Sequence, residues 1–272
     1  MLLPEVLAYY ERGGETVRLS AGVGRLEFLR TWDILTRILP PPPAVIVDVG
    51  GATGVYAGPL AHAGYQVTVV DPVPSHVSAS AARPGVTAVL GDARALPFDP
   101  ASADAVLLMG PLYHLLDPAV RALAWREAVR VARPGGVVAG ATIARHAPLL
   151  DIVSRGLFGE AETREITLAD VAHGRHVSPP GRPFFTTAYF HAPGEPAAEA
   201  SAAGLTRVRT LAVEGPVWPM TDRVTELLAD PVTSAELLAA LRGVEEEPSL
   251  LGASSHLLTF GTPASAVSQS AV

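Results

Sequence analysis

Between residues 44 and 143, short apolar runs rich in β-branched residues alternate with stretches of helical periodicity, and this rhythm limits the possible folds more than any other feature of the chain. The runs are AVIVDV, QVTVVD, VTAVLGD, DAVLLMG and GVVAGATI; the segments between them include helical patterns at 54–62, 75–82 and 117–132. Strands that are apolar on both faces and separated by helices belong to a parallel sheet covered on both sides. Right-handed crossovers then make a doubly wound α/β fold. Two later apolar runs, near 205–213 and 256–261, predict a closing pair that completes a seven-stranded, mostly parallel sheet.

What flanks this core has a different character. Over residues 22–39 apolar side chains recur at Leu26, Leu29, Trp32, Leu35 and Ile38, a helical spacing that stops at the proline run 40–43. Residues 1–43 are therefore expected to form a helical cap and a stiff linker, and residues 44–261 the catalytic domain. An insertion is expected at about 144–204, with a helix near 147–158, and a disordered tail at 262–272.

Two absences narrow the chemistry. The chain of 272 residues has no Cys, which removes disulfides, thiolate nucleophiles and Cys-ligated zinc. It has no Lys either, all 20 basic residues being Arg, so Schiff-base chemistry and a P-loop phosphate site lack their essential residue. A net charge of -7 argues against a phosphate-backbone partner. The amino terminus lacks a basic region followed by a clean apolar one, and no 18-residue apolar stretch occurs. The expectation is a cytoplasmic protein without membrane or nucleic-acid partners, monomeric or homodimeric, acting on a small molecule.

The strand VIVDVG runs into Gly50, Gly51, Ala52, Thr53 and Gly54. Glycines at a strand-to-helix turn either make a tight structural turn or let a ligand approach the backbone. Asp71 ends the second strand, where a carboxylate can accept the hydroxyls of a ribose, and Pro72 follows it. Asp92 ends the third strand, where a carboxylate can accept from an adenine amino group while the Ala93 amide reads a ring nitrogen. Acidic strand ends in register form one rim, because doubly wound sheets bind ligands outside their carboxyl edge.

These segments, DVGGATG, VVDP, GDARALPF, DAVLLMGPLYHL and RPGG, resemble the successive motifs of class I S-adenosylmethionine-dependent methyltransferases. The resemblance implies a Rossmann-like methyltransferase fold and S-adenosylmethionine as cofactor. It places Asp48, Gly50, Gly51 and Gly54 in the acidic glycine-rich loop, Asp71 on the ribose and Asp92 on adenine. Met109, Gly110 and Tyr113 fall in the segment that passes the sulfonium. Ala52 departs from the pattern, which has glycine there. The cap segment with Tyr9, Tyr10, Arg18 and AGVGRLEF is similar to caps of actinobacterial natural-product methyltransferases. Tyr10 and Arg18 are accordingly candidate cofactor contacts, Arg18 as a bidentate donor to a carboxylate or as a solvated surface cation.

Acceptor chemistry is assigned to the variable parts. His114 is a candidate base and Tyr113 a candidate orienting group; His114 otherwise packs beneath the cofactor. If the acceptor is carbon, Glu165 or Asp170 is the candidate proton acceptor. Asp170, His173 and His176 are three residues apart, so a helix would stack them on one face. With Arg182 they suggest an anion clamp, a divalent metal site that is not favoured, or a solvated loop. Phe184, Phe185, Tyr189, Phe190 and His191 offer an aromatic wall for a substrate or pack as an ordinary strand. The predicted reaction is O-, N- or C-methylation of a small secondary metabolite, anionic with an apolar body, within a range that includes prenyl diphosphate-like acceptors. The rivals are an NAD(P)-dependent oxidoreductase, disfavoured because residues 50–55 do not form G-x-G-x-x-G, and a non-catalytic module that binds the same cofactor.

Overall fold

The structure, a computed structural model, describes residues 3–13, 15–179 and 185–264. It opens with α1 (Pro4–Glu11), α2 (Glu15–Arg18) and α3 (Gly22–Ile38). The sheet begins with β1 (Val45–Val49), α4 (Ala57–His62), β2 (Gln66–Asp71), α5 (Pro74–Ala81), β3 (Val86–Leu90) and β4 (Ala103–Leu108). It continues through α6 (Pro118–Val131) to β5 (Ala132–Ala144). Next come α7 (Ala147–Ser154), α8 (Ala161–His173), β6 (Arg175–His176), β7 (Ala188–His191) and α9 (Glu195–Ala202). The last part is β8 (Leu205–Ala212), α10 (Thr221–Ala229), α11 (Pro231–Val244), α12 (Pro248–Leu251) and β9 (His256–Pro263).

The central order is β3-β2-β1-β4-β5, all parallel, with the reversal of winding between β1 and β4. β9 pairs antiparallel with β5, and β8 antiparallel with β9, closing a seven-stranded, mostly parallel sheet as the apolar pattern predicts. Short β6 and β7 extend the sheet beyond the carboxyl end of β5, where Ile143 and Ala144 pair with Phe190 and His191.

Alternation along the strands fills two layers. Ile46, Val69, Leu107 and Leu258 face the layer that holds Ile34, Leu35 and Leu60 of α3 and α4. Val47, Val70, Leu108 and Val138 face the layer that holds Ala124, Trp125 and Val131 of α6. Trp125 is fully buried against β5, where Gly140 makes room: a Cβ there would come within 2.6 Å of the indole. Asp117 caps α6 by accepting from the Ala119 amide at 2.8 Å, with Pro118 in the first turn.

The cap is tied down electrostatically as well as by packing. Arg30 of α3 has no exposed surface, donates to the Val213 carbonyl at 3.0 Å, and pairs with Asp33 and Glu245 at 2.7 and 2.5 Å. A buried guanidinium requires such partners to offset desolvation. α10 and α11 then cover Leu26 of α3 with Val224, Leu228 and Leu241.

After β5 the polar stretch holds a helix the periodicity does not announce: α8 buries mainly threonines, Thr163 and Thr167, together with Asp170. Thr262 and Pro263, assigned by the sequence to the tail, continue β9 in pairing with Thr206 and Leu205. Residues 265–272 lie outside the described residues. Among the described residues no helix is long and apolar enough to cross a membrane.

Candidate active site

At the carboxyl edge β1 ends in a loop whose shape demands glycine. Gly50 and Gly54 both have φ of +72°, and Ala52 has φ of +47° without being glycine. A Cβ on Gly50 would come within 2.8 Å of Pro111, and one on Gly51 would strike the Asp48 carboxylate. The loop thus lies against the turn after β4 on one side and over Asp48 on the other. Beside it opens a cavity of about 310 Å³. Gly50 and Gly51 line it at one end, Asp71 and Pro72 in the middle, and Asp92 and Ala93 at the other end. Met109, Gly110, Tyr113 and His114 line the β4 side, while Tyr10 and Arg18 come from the cap.

Asp48 does not line the cavity; it is fully buried beneath Gly51, and neither carboxylate oxygen has a hydrogen-bond partner. Burial, aided by the negative charge of Asp71, pushes its carboxyl up to about 7. Gly54 also stays outside, facing Arg83 and Ser80. Asp71 accepts from the Ala52 amide at 3.1 Å on one oxygen and from the Val73 amide at 2.9 Å on the other. His76 joins that second oxygen at 3.1 Å and lines the cavity. No sequence signal singled out His76; its place in the first turn of α5 carries it back over the strand end. Asp92 accepts from Arg94 Nε at 2.7 Å and from the Arg94 amide at 2.9 Å. These contacts, the Arg94 side-chain bond foremost, hold the carboxyl below its usual range against partial burial.

The cap closes over the β4 side. Tyr10 of α1 donates its hydroxyl to His114 Nε2 at 2.7 Å, and His114 Nδ1–H donates to the Thr187 carbonyl at 3.2 Å. The carbonyl can only accept, so it sets the tautomer and leaves Nε2 as the lone-pair nitrogen. Burial drives His114 down to about 4 although the Thr187 carbonyl and Asp71 pull upward, so the ring is neutral at physiological pH. Tyr113 packs beside it at 4.6 Å between ring centroids, and Phe185, just outside the cavity, packs on His114 and Tyr9 at 5.8 and 5.6 Å. Arg18 is held as a fork by Glu27 at 2.6 and 3.1 Å.

The remaining expected contacts do not reach the cavity. Gly174, at φ of +72°, ends α8, so Asp170, His173 and His176 cannot stack on one helical face. His176 instead lies on β6 and pairs with buried Asp170 at 2.8 Å, its other nitrogen facing the Phe185 carbonyl at 3.0 Å. That pair ties α8 to the β6–β7 unit. Glu165 and His173 are exposed. Tyr189 turns to Glu195 at 3.1 Å and lies under Arg121 at 4.0 Å. Phe190 belongs to a small core with Ile143 and Trp218. Arg182 and Phe184 lie outside the described residues.

Among the described residues one group has metal-ligand spacing: Glu27, Glu214 and His256, with ligand atoms within 4.8 Å of one another. His256 donates from Nδ1 to Glu214 at 2.5 Å. Against the burial that pushes it down, the charges of Glu27 and Glu214 lift it to about 9. Protonated His256 and Arg18 thus already balance the two carboxylates.

Residues 47–140 match the family model described as a methyltransferase domain. An uncharacterised methyltransferase of Mycobacterium tuberculosis is 40% identical over 100 residues, covering 36% of this chain and 40% of the relative. A ubiquinone biosynthesis O-methyltransferase of Methylocella silvestris is 36% identical over 107 residues, 37% of this chain and 40% of that protein. The matched stretch thus spans well under half of either relative. The fold is similar over nearly the whole chain to a solved S-adenosylmethionine-dependent methyltransferase of Thermotoga maritima, described as a possible histamine N-methyltransferase. That similarity has a TM-score of 0.60 and 19% identity, covering 96% of this chain and 99% of that one. The order of motifs along the sheet edge, the matched stretch and the shared architecture agree: residues 47–140 are similar to a methyltransferase domain, and the fold as a whole is that of S-adenosylmethionine-dependent methyltransferases.

Proposed function

We propose that this protein transfers a methyl group from S-adenosylmethionine to a neutral hydroxyl of a small molecule with an apolar body. The cofactor fits the residues present. The glycine turn leaves the room a Cβ would fill, and the orphaned Asp48 carboxylate directly beneath it attracts the cofactor's ammonium through the loop without touching it; Asp71 and Asp92 line the cavity at strand ends, where a ribose and an adenine would be held. When bound, S-adenosylmethionine supplies an electrophilic methyl group on a sulfonium. The chain's own part is to align the acceptor, exclude water and take a proton.

The observation that carries the choice of acceptor is the Tyr10–His114 pair beside Met109 and Gly110. The Tyr10 oxygen accepts a hydrogen bond from an incoming hydroxyl while its own proton is shared with His114 Nε2. The neutral ring accepts at Nε2 because Nδ1–H is committed to Thr187. A ring held near 4 is too weak to ionise a free alcohol. It is strong enough once the C–O bond forms, because an alkylated hydroxyl becomes a very strong acid. Leu3, Leu19, Leu115, Leu116 and Val120 line the same cavity and suit an apolar body. Of the anion clamp expected from the sequence, His173 and His176 lie elsewhere and Arg182 lies outside the described residues; the Tyr10–His114 pair is the ground for preferring a neutral hydroxyl. A secondary metabolite remains the proposed class.

The test is incubation with methyl-labelled S-adenosylmethionine and a panel of phenols, alcohols, amines and carboxylic acids. Label should enter hydroxyl acceptors first. Tyr10→Phe should lower kcat by roughly 10²-fold, the usual worth of a positioned proton acceptor, and leave S-adenosylhomocysteine affinity within about twofold. Preferential labelling of amines or acids, or an unchanged kcat in Tyr10→Phe, overturns the proposal.

A further inference from the structure

The cofactor loop contains a residue that ought not to be there. Ala52 sits at φ of +47°, a region that L side chains avoid, and it does so beside the cavity where the neighbouring glycines adopt the same hand freely. Its peptide groups are gripped from both ends by the β2–α5 unit. The Ala52 amide donates to Asp71 at 3.1 Å, and the Ala52 carbonyl accepts from the Ser80 hydroxyl at 2.7 Å. One residue later the Thr53 carbonyl accepts from Arg83 Nε at 2.5 Å. Ser80 has no exposed surface. Gly54 and Gly58 form the groove through which Arg83 passes, since a Cβ on either would lie 3.0 to 3.3 Å from its side chain. Three features that the cofactor motifs do not account for, the serine, the arginine and the absence of a side chain at 58, thus serve one purpose together with Gly54 of the loop itself.

We infer that Ser80 and Arg83 are positioning residues for the cofactor's amino-acid end. They clamp the Ala52 and Thr53 carbonyls so that the loop keeps its left-handed turn over Asp48. The inference rests on the cofactor reading above. Without the clamp an alanine returns to negative φ, and only a fraction of molecules hold the binding-competent loop. Apparent affinity falls by that fraction. With glycine at position 52 both hands are about equally populated, so the clamp has less to do.

The experiment is a cycle of calorimetric titrations with S-adenosylhomocysteine, using the wild-type protein, Ser80→Ala, Arg83→Met, Ala52→Gly, and Ala52→Gly combined with Ser80→Ala. Methionine keeps the stem over Gly54 and Gly58 and removes the guanidinium. Ser80→Ala and Arg83→Met should each weaken binding about tenfold, the scale of a buried carbonyl losing its donor. Measured against Ala52→Gly itself, Ser80→Ala should cost no more than about threefold in the glycine background. Equal losses in both backgrounds, or no loss in either single variant, overturn the clamp. Hydrogen exchange in the ligand-free proteins supplies a readout independent of the cofactor: the Ala52 amide should exchange at least tenfold faster in Ser80→Ala than in wild type. An unchanged rate likewise contradicts the clamp. No affinity in the wild-type protein, with the exchange difference present, counts against the cofactor and not against the clamp.

Discussion

Asp48 carries a cost that the folded protein bears until a ligand relieves it, and replacing it by Asn measures that cost. The carboxyl is fully buried with neither oxygen partnered, and burial with the nearby charge of Asp71 moves it from a usual value of 3.8 to about 7. Between those values the folded protein keeps a proton that the unfolded chain has released, so stability falls as pH rises through this window and stays low above it. At 1.36 kcal/mol per pH unit the full penalty is about 4 kcal/mol, of which about 3 kcal/mol accrues between pH 5 and pH 8. Asn keeps the shape and cannot ionise. Its own unsatisfied amide costs about 1–3 kcal/mol at every pH, which cancels when two pH values are compared. Urea unfolding of wild type and Asp48→Asn at pH 5 and pH 8 should therefore show the variant gaining about 3 kcal/mol on wild type between the two. Saturating S-adenosylhomocysteine at pH 8 should stabilise wild type more than the variant, because its ammonium offsets the carboxylate charge. A stability difference that does not change with pH refutes the reasoning.

Other perturbations test the rest of the site. His256 is lifted to about 9, so its contribution is fully present below pH 6.5 and lost as pH rises toward 9. His256→Gln should remove a decline of about 2 kcal/mol across that window in urea titrations, allowing for the partly exposed ring. His114 is held near 4, below its unfolded value, so it penalises the fold as pH falls from 6.5 toward 4. His114→Gln should flatten that acid limb by about 3 kcal/mol, seen as a smaller loss of Tm on acidification. Gly140→Ala would press a methyl into Trp125 and Leu112, and it should cost about 1–3 kcal/mol in chemical unfolding.

The sheet was legible because strand pattern and crossover handedness are local and general: AVIVDV, QVTVVD and DAVLLMG had to be buried on both faces, and they are. The rim of the cavity was legible for the same reason, since Gly50, Asp71 and Asp92 sit at or just past strand ends whose register follows from the fold. What the sequence concealed depended on tertiary contacts. The spacing of Asp170, His173 and His176 suggested one helical face, but Gly174 at positive φ ends the helix between the last two. His76 and Ser80 reach the loop only because α5 packs back across β2 and β3. Tyr10 lines the cavity in keeping with its assignment to the cofactor, and its bond to His114 joins residues 104 positions apart that no pattern links.

Every role assigned to the loop and the strand ends depends on the cavity at the carboxyl edge holding an adenosyl sulfonium ligand. Isothermal titration of the purified protein with S-adenosylmethionine, beside NAD and with Asp71→Ala as a control, tests it most directly. One site per chain for S-adenosylmethionine, at least tenfold weaker binding in the variant, and no heat with NAD are expected. Equal binding of NAD, or undiminished affinity in Asp71→Ala, would contradict it.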